Sequence, residues 1–178
     1  MNITLFRCCA PMLVALLSAC AGPDVAQYAQ KQPLFDPAQF FVGKTEAWGM
    51  FQKRGGEVVK RFHVDITGSE HDGKLMLDER FRYDDGSTQQ RVWSLTRQPD
   101  GSWRGSAGDV AGEAVGYSAG NTLNWRYTLL LPVDGKTWEM TMDDWMFLID
   151  EKTMINRTSM SKFGIEVGQV SLFFRKPD

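Results

Sequence analysis

The sequence predicts an all-β protein: a single antiparallel meander β-barrel, preceded by a short N-terminal leader. Three observations carry this reading. From Thr45 onward, the turn-forming runs Gly55-Gly56, His71-Asp72-Gly73, Asp84-Asp85-Gly86, Pro99-Asp100-Gly101 and Asp134-Gly135 recur. Their spacing of about 10–15 residues is that of consecutive hairpins. Between the turns, apolar and polar residues alternate, and no stretch keeps a helical period over three turns. Seventeen glycines and 12% aromatic residues in 178 suit strands and tight turns. The chain is 43% hydrophobic and 24% charged, which excludes overall disorder, and its length allows one domain.

The leader comes first. Arg7 precedes an apolar run from Cys8 to Leu17. That run is too short to cross about 30 Å of hydrocarbon as a helix, but it suits the core of a signal peptide. Leu17-Ser18-Ala19-Cys20 resembles a bacterial lipobox. The resemblance implies lipidation of Cys20, removal of residues 1–19 and membrane anchoring through the acylated Cys20. Three acyl chains would bury dozens of CH₂ groups at about 0.8 kcal/mol each. Ala21, not Asp, follows Cys20, which implies export to the outer membrane, facing the periplasm. Residues 20–33, small and polar after the cysteine, read as a tether with a helical turn near Val25–Lys31. The barrel domain is assigned to 34–178, with Phe40-Phe41 docking on it.

The strands expected are 45–53, 57–67, 74–83, 87–98, 102–107, 111–119, 122–132, 136–143, 153–162 and 167–175. A turn or short helix over Asp144–Glu151 is expected to interrupt the run before the last two. Closure into a barrel removes unpaired edges, and a two-sheet sandwich is the alternative. Arg61, His63 and Asp65 alternate on one strand, and Asp78, Arg80 and Arg82 on another. Both rows are assigned to the outside, so the barrel is expected to be a soluble one and not an apolar-walled membrane pore.

A wider resemblance then becomes visible. It runs through Phe40-Phe41-Val42-Gly43 with Ala47-Trp48-Gly49, Asp78-Glu79-Arg80-Phe81 with Tyr83-Asp84-Asp85-Gly86, and Arg91-Val92-Trp93. It continues through the run Gly105–Ala114, then Asn124-Trp125-Arg126-Tyr127, Asp143-Asp144-Trp145-Met146, Ile155-Asn156-Arg157 and Met160–Gly164. Over about residues 34–176 the chain resembles a bacterial lipoprotein family whose domain has no assigned function. The resemblance implies a lipoprotein with a lipocalin-like barrel, often encoded near fatty-acid modification genes. It brings no catalytic residues.

The hairpin 74–98 is the most informative segment chemically. Asp84-Asp85-Gly86 suits a three-residue loop with a G1 bulge. That register pairs Phe81 with Gln89, Glu79 with Arg91, Leu77 with Trp93 and Leu75 with Leu95. Strand parity turns Glu79 and Arg91 inward beside Trp93. Three readings stay open: a buried ion pair that sets register, a polar anchor for a ligand head group, or acid–base chemistry by Glu79. Trp125 and Tyr127, with Leu129 and Leu131, form an apolar face, as do Trp138, Met140 and Met142. These faces either fill the barrel or line a pocket. Asp143, Asp144, Asn156, Arg157 and Lys162 are expected around the last long loop: if Asp143-Asp144 is extended the two carboxylates take opposite faces and share no metal, and if the chain turns there Asp144 caps it, a capping role being favoured over a site.

Several function classes drop out. A net charge of −2 gives no basic face for nucleic acid. Three cysteines, two of them in the leader, and two histidines support neither a disulfide scaffold nor a zinc site. No metal and no cofactor is expected. His63 and His71 have no triad context, and the glycines from Gly105 to Gly120 lack phosphate-loop spacing. The leading expectation is an outer-membrane-anchored lipoprotein that holds a fatty-acyl or other hydrophobic ligand. An envelope interaction protein with a filled barrel and, less favoured, a lipid-modifying enzyme are the alternatives. The oligomeric state is left open.

Overall fold

The computed structural model describes residues 22–177. Cys20 and its expected lipidation lie outside the described residues. A 3-10 turn at Val25–Tyr28 and a five-residue helix α1 at Pro37–Phe41 precede ten strands. These are β1 Gly43–Lys53, β2 Val58–His71, β3 Lys74–Tyr83, β4 Thr88–Arg97 and β5 Trp103–Ser106. They continue with β6 Val110–Ala119, β7 Thr122–Val133, β8 Lys136–Leu148, β9 Thr153–Lys162 and β10 Ile165–Arg175. Each strand pairs with its neighbour in sequence, and β10 returns antiparallel to β1, so the barrel closes. The meander barrel is thus the architecture, and the sandwich is not. Closure leaves the sheet no free edge.

One expected boundary is wrong. No turn or helix interrupts the chain at Asp144: β8 continues to Leu148, paired with β7 and β9. Adjacent aspartates read as a turn, but Trp145 and Phe147 find a partner on the outer face. Tyr28 packs on both rings, with centroids at 6.2 and 5.4 Å. The segment read as a tether is therefore laid on the barrel wall from the 3-10 turn onward. The Phe35 N–H reinforces this by donating to the Gly120 carbonyl at 2.8 Å.

α1 closes one end of the barrel. The Asp36 carboxylate accepts from the Ala38 N–H at 2.9 Å and Pro37 begins the helix, a local start signal. Phe35, Phe40 and Phe41 are buried against one another, and Phe41 meets Phe174 across the opening. The Lys176 ammonium donates to the carbonyls of Phe40 and Val42 at 2.6 and 2.8 Å, which pins the plug.

Above the plug lies a core that includes Leu75, Leu77, Trp93, Leu95 and Trp125. Trp125 lies flat over β6, where a Cβ at Gly116 would come within 2.2 Å of its ring. Gly116→Val is therefore expected to cost about 1–3 kcal/mol through overpacking, seen as a lower denaturant midpoint at unchanged slope. An unchanged midpoint would show that the ring has room to move.

The outer wall is charged, as parity requires. Arg80 pairs with Asp78 at 3.1 Å, Arg61 with Asp84 at 3.1 Å, and Arg82 with Asp65. Among the described residues no helix is long and apolar enough to cross a membrane.

Candidate functional site: a polar patch inside the barrel cavity

The interior above the plug is a cavity of about 900 Å³. Its walls include Phe41, Phe62, Phe81, Trp93, Trp125, Leu129 and Met142. Exposed residues at the end opposite α1, among them Ser87, Thr88, Pro132 and Thr137, rim its mouth. The barrel is thus hollow, within the usual size range of small-molecule sites.

The hairpin that sets the polar patch has the register the sequence predicts. Phe81 pairs with Gln89, Glu79 with Arg91, Leu77 with Trp93 and Leu75 with Leu95. Gly86 has φ +82° and its N–H returns to the Tyr83 carbonyl at 3.1 Å, the turn geometry that places the bulge. Glu79 and Arg91 therefore both face the cavity, each with only 15% of its side chain exposed.

Their contact is looser than a direct pair, with Arg91 Nη1 at 3.8 Å from Glu79 Oε2. The main partner of Arg91 is Asp109. Arg91 Nε donates to both Asp109 oxygens at 3.0 and 2.9 Å, and Nη2 donates to Oδ2 at 2.7 Å. Such a forked guanidinium–carboxylate contact is the strong kind. Asp109 lies between β5 and β6, in the Gly- and Ala-rich run that reads as bends. The pairing of β5 with β4, carried on three residues past Ser94 and Ser106, sets that run beside Arg91.

Asp144 is the other unexpected member. It does not cap a loop: it faces the cavity from β8, while Asp143 faces outward to Arg126 at 3.1 Å and Asn124 at 2.7 Å. The two aspartates take opposite faces because the strand remains extended. The Asn156 amide donates to Asp144 Oδ1, and Thr158 also hydrogen-bonds its carboxyl. Asn156 thus belongs to the site, whereas Arg157 points out to Gln169 and Lys162 lies over the Trp138 ring.

Electrostatics follow from burial. Burial pushes Glu79 up to about 7, against the pull of Arg91, with Asp109 and Asp78 adding to the rise and a hydrogen bond from Trp93 opposing it. Burial likewise raises Asp144 to about 7, against hydrogen bonds from Asn156 and Thr158. Burial works against the charge on Arg91, but Glu79 and Asp109 outweigh it and hold its pKa above the ordinary value. Burial also raises the Tyr127 phenol, which stays a neutral donor.

The remaining candidates divide. Trp93, Trp125, Tyr127 and Met142 line the cavity. Met140 packs beside Met142 and Met160 without reaching the cavity wall. Trp138 is a correction: it is 39% exposed near the open end, with the Lys162 ammonium 3.0 Å from its ring centroid. Its parity is inward, but β8 has there run past the packed interior. On the outer wall, Glu46, His63 and Asp65 bring possible ligand atoms within 4.8 Å of one another. The Arg82 guanidinium contacts both Asp65 and His63, with Nη2 2.7 Å from His63 Nδ1. It already supplies the positive charge such a cluster attracts.

Comparison with solved structures finds likeness at low identity. The S-type phycobiliprotein lyase CPES from Guillardia theta superposes with a TM-score of 0.58 at 8% identity, over 79% of this chain and 91% of that one. The redesigned β-barrel mFAP1, bound to DFHBI, gives 0.42 at 11% identity, over 78% and 97%. mFAP0, also bound to DFHBI, gives 0.40 at 9%, over 77% and 99%. The likeness to the lyase is one of fold. No curated protein sequence matches the chain. The lipocalin-like barrel and the sequence agree with each other: residues 14–176 match the family described as "Protein of unknown function (DUF3833)", and the chain belongs to that family.

Proposed function

We propose that this protein is a lipid-anchored barrel that holds a hydrophobic ligand, of fatty-acyl or similar kind, at the periplasmic face of the outer membrane. The carrying observation is the cavity of about 900 Å³, whose aromatic and aliphatic walls surround one polar patch. Burying an alkyl chain there is favoured at about 0.8 kcal/mol per CH₂. The patch gives the ligand's polar end a fixed place. A filled barrel acting only through its outer surface would have no such volume. The anchoring half of the proposal rests on Leu17-Ser18-Ala19-Cys20 and on Ala21 after it.

A second reading has its own observation. Glu79 and Asp144 both sit near pKa 7, where a carboxyl can give or take a proton. Acid–base chemistry on a bound lipid would use that pair.

Native mass spectrometry of the chain purified from its host membrane tests the proposal. The expected spectrum carries the mass of an acylated Cys20 and, on the intact fold, a further apolar molecule. Cys20→Ser is expected to lose the acyl mass and membrane retention. A wild-type chain without a bound molecule would count against the carrier, and a membrane-retained Cys20→Ser against the anchor.

A further inference from the structure

We propose that the cavity selects its ligand by the head group, taking an apolar molecule whose polar end donates hydrogen bonds and carries no negative charge, such as an amine or an alcohol, and rejecting a free carboxylate. This rests on the ligand-binding reading above and narrows it.

The warrant is the placement of charge. Three carboxyl groups, Glu79, Asp109 and Asp144, face the cavity from three parts of the wall. One guanidinium, Arg91, stands among them. It is the group a fatty acid would need, and its charge is already matched by two carboxyl groups. Nε and Nη2 are bound to Asp109 at 2.7–3.0 Å, and Nη1 faces Glu79 at 3.8 Å. Lys60, the other cation on the lining, lies at the mouth, paired with Asp85 at 3.2 Å and over the Tyr83 ring at 4.2 Å. An incoming carboxylate would therefore meet acceptors and like charge in a poorly hydrated site, where each is costly. An ammonium or hydroxyl would find the carboxyl oxygens of Glu79 and Asp144 as acceptors.

The selectivity is pH-dependent. Glu79 is faced by Arg91 from β4, by Asp109 from the segment before β6, by Tyr127 from β7 and by Asp144 from β8, with Asp78 and Tyr83 on its own strand. Glu79 and Asp144 both lose their protons near pH 7. Above that pH the patch carries an excess of negative charge. Below it, Arg91 and Asp109 balance.

Chain-matched ω-bromoalkylamine, ω-bromoalkanol and ω-bromoalkanoate provide the test, on the processed full chain held in amphipol. Bromine quenching of Trp93 and Trp125 in the wall reports entry. At about pH 8 the amine and the alcohol are expected to bind at least tenfold more tightly than the alkanoate, and near pH 5 the gap is expected to shrink. The isosteric double variant Glu79→Gln/Asp144→Asn should bind the alkanoate about tenfold more tightly than wild type at about pH 8. An alkanoate that binds wild type as well as the amine does would overturn the head-group rule while leaving ligand binding intact. An amine preference that survives in the double variant would assign it to the outer surface, and so would also overturn the rule. Failure of all three molecules to quench would remove the ligand-binding reading itself.

Discussion

Arg91→Met is expected to lower the unfolding free energy by roughly 3–5 kcal/mol, the cost of leaving buried carboxyls without their cation. Arg91 holds Asp109 by a forked contact and stands beside Glu79. Methionine keeps the volume and apolar stem, so little of the loss comes from packing. The loss is a large share of the ~5–15 kcal/mol typical of a domain. Asp109→Leu alone should also be costly, since it strands the guanidinium. The double variant should cost less than the two single losses added, because it removes both charges together. Glu79→Gln should cost much less than Arg91→Met, since Glu79 already spends much of its time protonated near neutrality. Urea titrations of the four variants decide it. Additive losses for Arg91 and Asp109 would mean that the forked contact contributes nothing.

Stability is expected to fall as pH rises from about 5 to about 8. Burial raises Glu79 from 4.5 to about 7 and Asp144 from 3.8 to about 7. A carboxyl whose folded pKa lies above its unfolded one binds more protons in the folded state between the two values. Folding is then favoured below the unfolded value and progressively penalised as pH climbs through the window, with the full cost above about 7. At 1.36 kcal/mol per unit, Glu79 alone can account for at most roughly 3 kcal/mol. The outward carboxyls do not mask this. Asp85, lowered to about 2 by hydrogen bonds from Ser87, acts in the acid range below the window. Thermal unfolding between about pH 5 and pH 8 should show the decline, and Glu79→Gln/Asp144→Asn should flatten it. A wild-type profile that rises over that range would mean that both carboxyls are ionised at ordinary pKa values.

How much of the site could be read in advance depended on how far each contact reached along the chain. The Glu79–Arg91 relation was legible because it is local: a three-residue loop and strand parity decide which side chains stand opposite. Trp93, Trp125, Tyr127 and Met142 were legible for the same reason. Asp109 was not. It sits outside any alternating run, and its neighbour Arg91 lies 18 residues away across the short strand β5. For Asp144 the favoured turn and cap failed, because two adjacent aspartates look like a turn, and the extended alternative, with the pair on opposite faces, is the one the structure has. The extended backbone there is enforced by pairing with Trp125 on one side and Thr158 on the other. Trp138 was misplaced because parity states which face a residue takes, not how far up the wall that face is still covered.

By itself the sequence determined the all-β class, the ten hairpin-linked strands and the leader's lipobox pattern, all set by turn chemistry and period-two alternation over a few residues. The tertiary structure alone decided that the barrel is hollow above a phenylalanine plug. It also decided that Glu79 and Asp109 share one guanidinium inside while Asp144 faces the same cavity, and that the segment before α1 lies against the wall. Arg91 and Asp109 meet through the β4–β5 pairing, but the enclosed volume and the facing of Asp144 towards Glu79 depend on closing β10 onto β1. Volume and the sum of charges across an enclosed space are properties of the whole ring, and no single strand carries them.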